Sequence, residues 1–261
     1  MNRTIRLFIA AATLLSATSP VFAQQSGTIE YEVTAKTDPE RMRGFQRGGD
    51  DAPEIPDVIT FKQVFTFNNN IGKLTTERPE GGGFGGRRQR PGGDTSTRNQ
   101  RGQRPGGMGM GRGGFNAQYV DLANKKYEQV FSTFGDDKKT YYTEEDYIFT
   151  ANNKTSGKTK KIAGYTCKKA TIQLKDDTYT VWYTTELPFS FSPVNGLLPD
   201  SNAVVLSAEG TRRAFTAKSV NLKAITDTDL ALPAGAEKVS QEQMREIRKQ
   251  EMEKLRKRQQ Q

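Results

Sequence analysis

The chain contains one cysteine, Cys167, and no histidine. The missing imidazole removes the usual general base of a serine or cysteine triad, and with it the commonest metal ligand. A reactive Cys167 would have to be activated by Lys168, Lys169 or a helix terminus. A free cysteine is more commonly a small buried apolar side chain, and that is the expectation here. Strict alternation puts Tyr165, Cys167 and Lys169 on one face and Thr166, Lys168, Ala170 and Ile172 on the other. A bulge is therefore needed to sort core from surface.

The remaining acid–base candidates are carboxylates: Asp136-Asp137, Glu144-Glu145-Asp146 and Asp176-Asp177. None has the spacing of a calcium loop, and adjacent acids in turns are usually solvated, so no metal and no cofactor is expected. A hydrolase built on carboxylates alone would need a cleft with two facing acids, which sequence spacing does not establish. Met108 and Met110 are too few to argue for Cu(I) ligation.

The elements that must position these residues begin after residue 23. Arg3 and Arg6, an apolar run from Leu7 to Leu15 and Val21-Phe22-Ala23 read as a secretory signal. The apolar run is short of the ~20 residues a spanning helix needs. We expect an exported chain of the periplasm or outer cell envelope, not an integral membrane protein. With one cysteine no internal disulfide can form, so a packed core must supply stability.

The formal charge is +9, and it is unevenly spread. Residues 84–114 hold seven Arg against one Asp, and 237–261 hold eight Lys and Arg against five Glu. Residues 81–114 contain 14 Gly among 34, and such a segment buries too little apolar surface to offset its conformational entropy. We read it as a disordered insertion. Its Arg87, Arg88, Arg90, Arg101, Arg104 and Arg112 could touch a polyanion, although export makes nucleic acid an unsuitable partner.

Between these appendages the pattern is that of strands. Ile29, Tyr31, Val33 and Ala35 alternate with polar residues, and Ile59, Phe61, Phe65 and Phe67 share a phase before Asn68-Asn69-Asn70 turns the chain. Further strands are expected around 115–122, 127–134, 139–142, 147–151, 203–208 and 213–225, with 152–161 a polar connection. A hairpin is expected across Gly164–Leu174 and Thr178–Thr184. Ser240 and Gln243 have capping-box spacing and open a helix whose apolar residues are Met244, Ile247, Met252 and Leu255. Successive hairpins argue for a mainly β fold: an antiparallel curved sheet or half-open barrel with one C-terminal helix. The expected organisation is a signal over 1–23, one β-rich domain over 24–236 interrupted by 81–114, and a charged helical tail over 237–261.

Lys161-Ile-Ala-Gly-Tyr-Thr-Cys-Lys-Lys-Ala170, Val181-Trp-Tyr-Thr-Thr-Glu-Leu-Pro188 and Asn195-Gly-Leu-Leu-Pro199 resemble the GLPGLI family of exported proteins from Gram-negative bacteria. The namesake hexapeptide is altered: a second Leu precedes Pro199, and Asp200-Ser201 replace the second Gly-Leu. The resemblance implies an exported compartment and a β-rich fold, and carries no catalytic residue.

The leading functional expectation is a non-enzymatic exported envelope protein binding a hydrophobic ligand, such as a lipid, or an envelope protein partner. The sheet would be lined by Phe61, Phe65, Phe67, Tyr179, Trp182 and Tyr183. The alternatives are a carboxylate-based hydrolase and a surface-interaction protein acting through the basic insertion.

Overall fold

The computed structural model describes residues 26–38, 56–77, 118–134, 138–149, 153–174, 177–225 and 230–260. The expected signal, the Gly/Arg insertion with its six named arginines, Met108, Met110, Asp136, Asp137 and Asp176 lie outside the described residues.

The strands are β1 (Ser26–Lys36), β2 (Val58–Asn68), β3 (Ile71–Glu77), β4 (Gln118–Asp121), β5 (Lys126–Ser132), β6 (Thr140–Asp146), β7 (Ile148–Phe149), β8 (Lys154–Ile162), β9 (Tyr165–Leu174), β10 (Asp177–Thr184), β11 (Leu197–Leu198), β12 (Val204–Glu209), β13 (Arg213–Leu222) and β14 (Glu237–Lys238). One helix, α1 (Gln241–Gln260), follows. Twelve strands form one sheet in the order β14-β6-β5-β4-β3-β2-β1-β13-β12-β10-β9-β8, curved but not closed into a barrel. Its ladders are antiparallel except for the two-residue pairing of β14 with β6, and a separate parallel pair joins β11 to β7.

The period-two pattern of β1 decides the core. Ile29, Tyr31, Val33 and Ala35 are buried, while Glu30 and Glu32 meet Lys62 and Lys218 on the other face. Phe65 and Phe67 of β2 join the buried row. Residues 187–203 cross the inner face of the sheet and fill it with Leu187, Phe191, Val194, Leu197 and Leu198. Tyr147 Oη ties this layer down by donating to the Ser190 carbonyl at 3.1 Å, and beside it Tyr31 Oη donates to the Val205 carbonyl of β12 at 2.8 Å. Asn195 and Gly196 turn with φ of 43° and 70°. A Cβ on Gly196 would stand 2.6 Å from the Tyr147 ring, so glycine is required there.

Two element assignments differ from the sequence reading. Residues 154–161 are not a polar connection but most of β8, an edge strand whose side chains are nearly all solvated. With neither face in the core, it has no apolar alternation to betray it. The short strand expected at 139–142 runs on through Asp146, because β5 supplies a seven-residue ladder over Thr140–Asp146.

The expected capping box forms at α1: Ser240 Oγ accepts from the Gln243 N–H at 3.2 Å, and Gln243 Oε1 from the Ser240 N–H at 2.8 Å. The helix lies against the body. Met244 and Glu251 are buried, Arg248 sits 5.6 Å from the Phe131 ring centroid, and Glu251 accepts from the Phe134 N–H at 3.0 Å.

Candidate carboxylate and lysine site

Hairpin β4–β5–β6 is positioned by its buried row. Val120, Tyr127 and Phe131 face the core, so the intervening residues Lys126 and Glu128 project from the opposite face. In the ladder Glu128 stands across from Tyr119 on β4 and from Glu144 on β6, and Lys126 across from Asp121 and Asp146. Two glutamates are thus direct cross-strand partners, a placement that disfavours having both charged.

Lysines relieve part of this conflict. Glu144 Oε1 receives both Lys126 Nζ and, at 3.1 Å, Lys238 Nζ, the latter delivered by the short parallel strand β14. These hydrogen bonds hold the Glu144 carboxyl below its usual range. Glu128 is half-buried and shifts the opposite way: burial, then the charges of Glu144 and Asp121, push it up despite Lys238 and Lys126. Tyr119 is buried beside it, with Lys73 Nζ 5.2 Å from its ring centroid. The result is one carboxyl suited to taking and returning a proton, one fixed carboxylate, and two ammonium groups held beside them.

Glu145 serves the other face. It accepts hydrogen bonds from Tyr127 Oη and Gln241 Nε2 and so fastens the start of α1 to the sheet. Of the expected acid run Glu144-Glu145-Asp146, Glu144 therefore belongs to the wet-face site and Glu145 to the helix dock.

The aromatic residues expected to line a ligand groove are dispersed. Phe65 stacks on Phe191 with centroids 3.6 Å apart, and Phe67 meets Phe189 at 4.3 Å, so both rings are packed within the core. Phe61 borders a shallow cavity of about 280 Å³ that it shares with Glu30, Tyr31, Glu32, Thr60, Lys62 and Lys218. Tyr179, Trp182 and Tyr183 lie on β10, with three strands between it and β2. Tyr183 is buried, while Trp182 is half-buried with Lys160 Nζ 5.6 Å from its ring centroid.

Cys167 is fully buried. Burial first, and then the charge of Glu186, push its thiol up to about 11, against smaller opposing effects from the Ile162 backbone and Lys160. Such a thiol is a poor nucleophile. The bulge expected in the Cys167 strand is not seen in its ladder with β10, which runs without a shift; a bulge lies instead on β8, between Ser156 and Thr159 opposite Lys168 and Lys169, and both Cys167 and Ala170 are buried. Among the described residues no group of three or more His, Cys, Asp or Glu is arranged to hold a metal ion.

Glu128, Lys126, Lys238 and Tyr119 were not singled out from the sequence. The signal available was the alternation of Lys126 and Glu128 along β5; its use required the register against β6, which the shorter strand expected there concealed.

The sequence model of a family described as "N-glycanase peptide, N-terminal domain" matches residues 114–198, which include β4, β5 and β6. Among solved structures, PNGF-II in space group C2 superimposes with a TM-score of 0.54 and 17% identity, covering 85% of this chain and 32% of that one. PNGF-II in space group P21 gives 0.50 and 18%, covering 85% and 33%. What is shared at these identities is the fold, and the chain spans about a third of the length of those chains. No curated protein matches the chain. The family match corrects the expectation of a non-enzymatic chain: residues 114–198 match the N-terminal domain model of an enzyme family.

Proposed function

We propose that this chain acts in the removal of N-linked glycans from glycoproteins, with the β4–β6 wet face as its working surface. The single observation that carries the reading is the Glu128–Glu144 pair, whose proton affinities are driven apart within the segment matched by the N-glycanase domain. Export, expected from residues 1–23, suits a substrate class found on secreted and surface proteins.

The linkage to be broken is the amide between the sugar and asparagine. Glu128, ionised, takes a proton from water as the water oxygen adds to the amide carbon. Lys126 and Lys238 offer N–H donors to the developing oxyanion, and Glu144 keeps both ammonium groups in place. Glu128 then returns the proton to the departing glycosylamine nitrogen as the carbon–nitrogen bond breaks, leaving aspartate in the peptide.

The test is glycan release from a fluorescent N-glycosylated peptide, read by chromatography. Release by wild type, reduced about 10²–10⁴-fold in Glu128→Gln with a melting temperature no lower than that of wild type, is the expected result. A wild type that releases no glycan, or a Glu128→Gln variant as active as wild type, overturns the assignment.

A further inference from the structure

The opposite end of the sheet carries an unbalanced charge. β8 contributes Lys154, Lys158, Lys160 and Lys161, and β9 adds Lys168 and Lys169, with no Asp or Glu in either strand. Five of the six are exposed and Lys169 is half-buried. Among the described residues none of them forms an ion pair; the adjoining Glu186 accepts instead from the Thr166 N–H at 3.2 Å.

The register concentrates these charges. Ser156 pairs with Lys169 and Thr159 with Lys168, so the bulge between them puts Gly157 and Lys158 outside the ladder beside the two β9 lysines. Like charges on adjoining strands about 4.8 Å apart repel one another. Lysines on an edge strand do blunt edge-to-edge pairing. That accounts for those on β8, but not for Lys168 and Lys169 on β9, which has a partner on both sides.

We propose that the β8–β9 lysine cluster is a binding surface for an acidic polysaccharide, a site separate from the Glu128 face and independent of the glycan-removal reading. Charge complementarity requires a polyanion, and the composition selects among polyanions. Phosphate-rich partners favour the bidentate fork of arginine, and β8–β10 contain none. A single-stranded nucleic acid needs a row of open aromatic faces, whereas the tryptophan here is half-buried beneath Lys160. A membrane surface needs an apolar anchor beside the charge, and among the described residues the exposed large apolar ones, Val58, Ile71, Phe149 and Leu222, all lie on other strands. Carboxylated or sulfated sugars, with dispersed point charges, match dispersed ammonium groups.

The experiment is calorimetric titration of the full chain with dextran sulfate and with polygalacturonate. Neutral dextran, phosphatidylglycerol vesicles and an oligothymidylate serve as comparisons. Both acidic polysaccharides should bind, more weakly as salt rises, and a Lys158→Gln, Lys168→Gln, Lys169→Gln triple variant should lose about tenfold or more in affinity. A control triple at exposed lysines elsewhere, Lys36→Gln, Lys223→Gln, Lys249→Gln, should lose much less. A second readout is thermal: removing the mutual repulsion should leave the cluster variant at least as stable as wild type at low salt, and dextran sulfate should raise the melting temperature of wild type more than that of the variant. Equal losses in the two triples, tighter binding of vesicles or oligothymidylate than of either polysaccharide, or no binding by wild type would overturn the proposal.

Discussion

At the scale of single residues, Glu128 and Glu144 show how neighbours assign different work to one side-chain type. Glu128 is raised in the fold above the ordinary 4.5, so folding favours its protonated form. Its contribution to stability is therefore present in acid and lost as pH rises from the ordinary value through the raised one. Glu144 is lowered, so its contribution is present above the ordinary value and lost as pH falls through the lowered one. Chemical denaturation across this range should show Glu128→Gln gaining on wild type as pH rises, and a flat difference would contradict the assigned environment. Glycan release by wild type should fall as pH drops below the raised value, because Glu128 must be ionised to accept the proton. Cys167, whose thiol is pushed up to about 11, should resist a charged maleimide in the native protein and react after denaturation; fast native labelling would contradict its burial.

At the scale of elements, α1 is more tightly docked than its composition suggests. Its apolar residues are few, yet Met244 is buried, Arg248 lies over Phe131, and Glu251 and Glu145 link helix to sheet. Removing residues 240–261 should expose Phe131 and leave the Phe134 N–H without that acceptor, lowering the melting temperature by several degrees, as about 1–2 kcal/mol does in a domain of this size. An unchanged melting temperature would mean that the helix is solvated. The deletion also tests the site, since Lys238 of β14 reaches Glu144 from just before the helix. In β2 the sequence phase of Phe65 and Phe67 was legible, but their role was not. An aromatic row looks the same whether it faces a ligand or another layer of protein. Here that layer includes Phe189 and Phe191.

At the scale of the whole molecule, the crossing segment 187–203 makes a filled interior of what could have been an open groove. Phe191, packed on Phe65 and near Tyr31, is central to it. Phe191→Ala should cost about 3–5 kcal/mol, measured by denaturant unfolding, because the surrounding rings cannot close on the vacated volume. A cost below 1 kcal/mol would indicate a loosely packed layer.

The alternation of β1, the hairpin at β9–β10, the capping box of α1 and the mainly β class were all determined by the sequence itself. Each rests on neighbours within a few positions, where side-chain period and backbone hydrogen bonding act directly. Strand register and the crossing segment were decided only by the tertiary structure. A strand's own residues do not reveal which partner it meets: Glu128 and Glu144 are sixteen positions apart, and Lys238 joins them from ninety-four positions beyond Glu144. Their altered proton affinities come from burial and from charges brought in by other strands, and both exist only once the sheet is assembled.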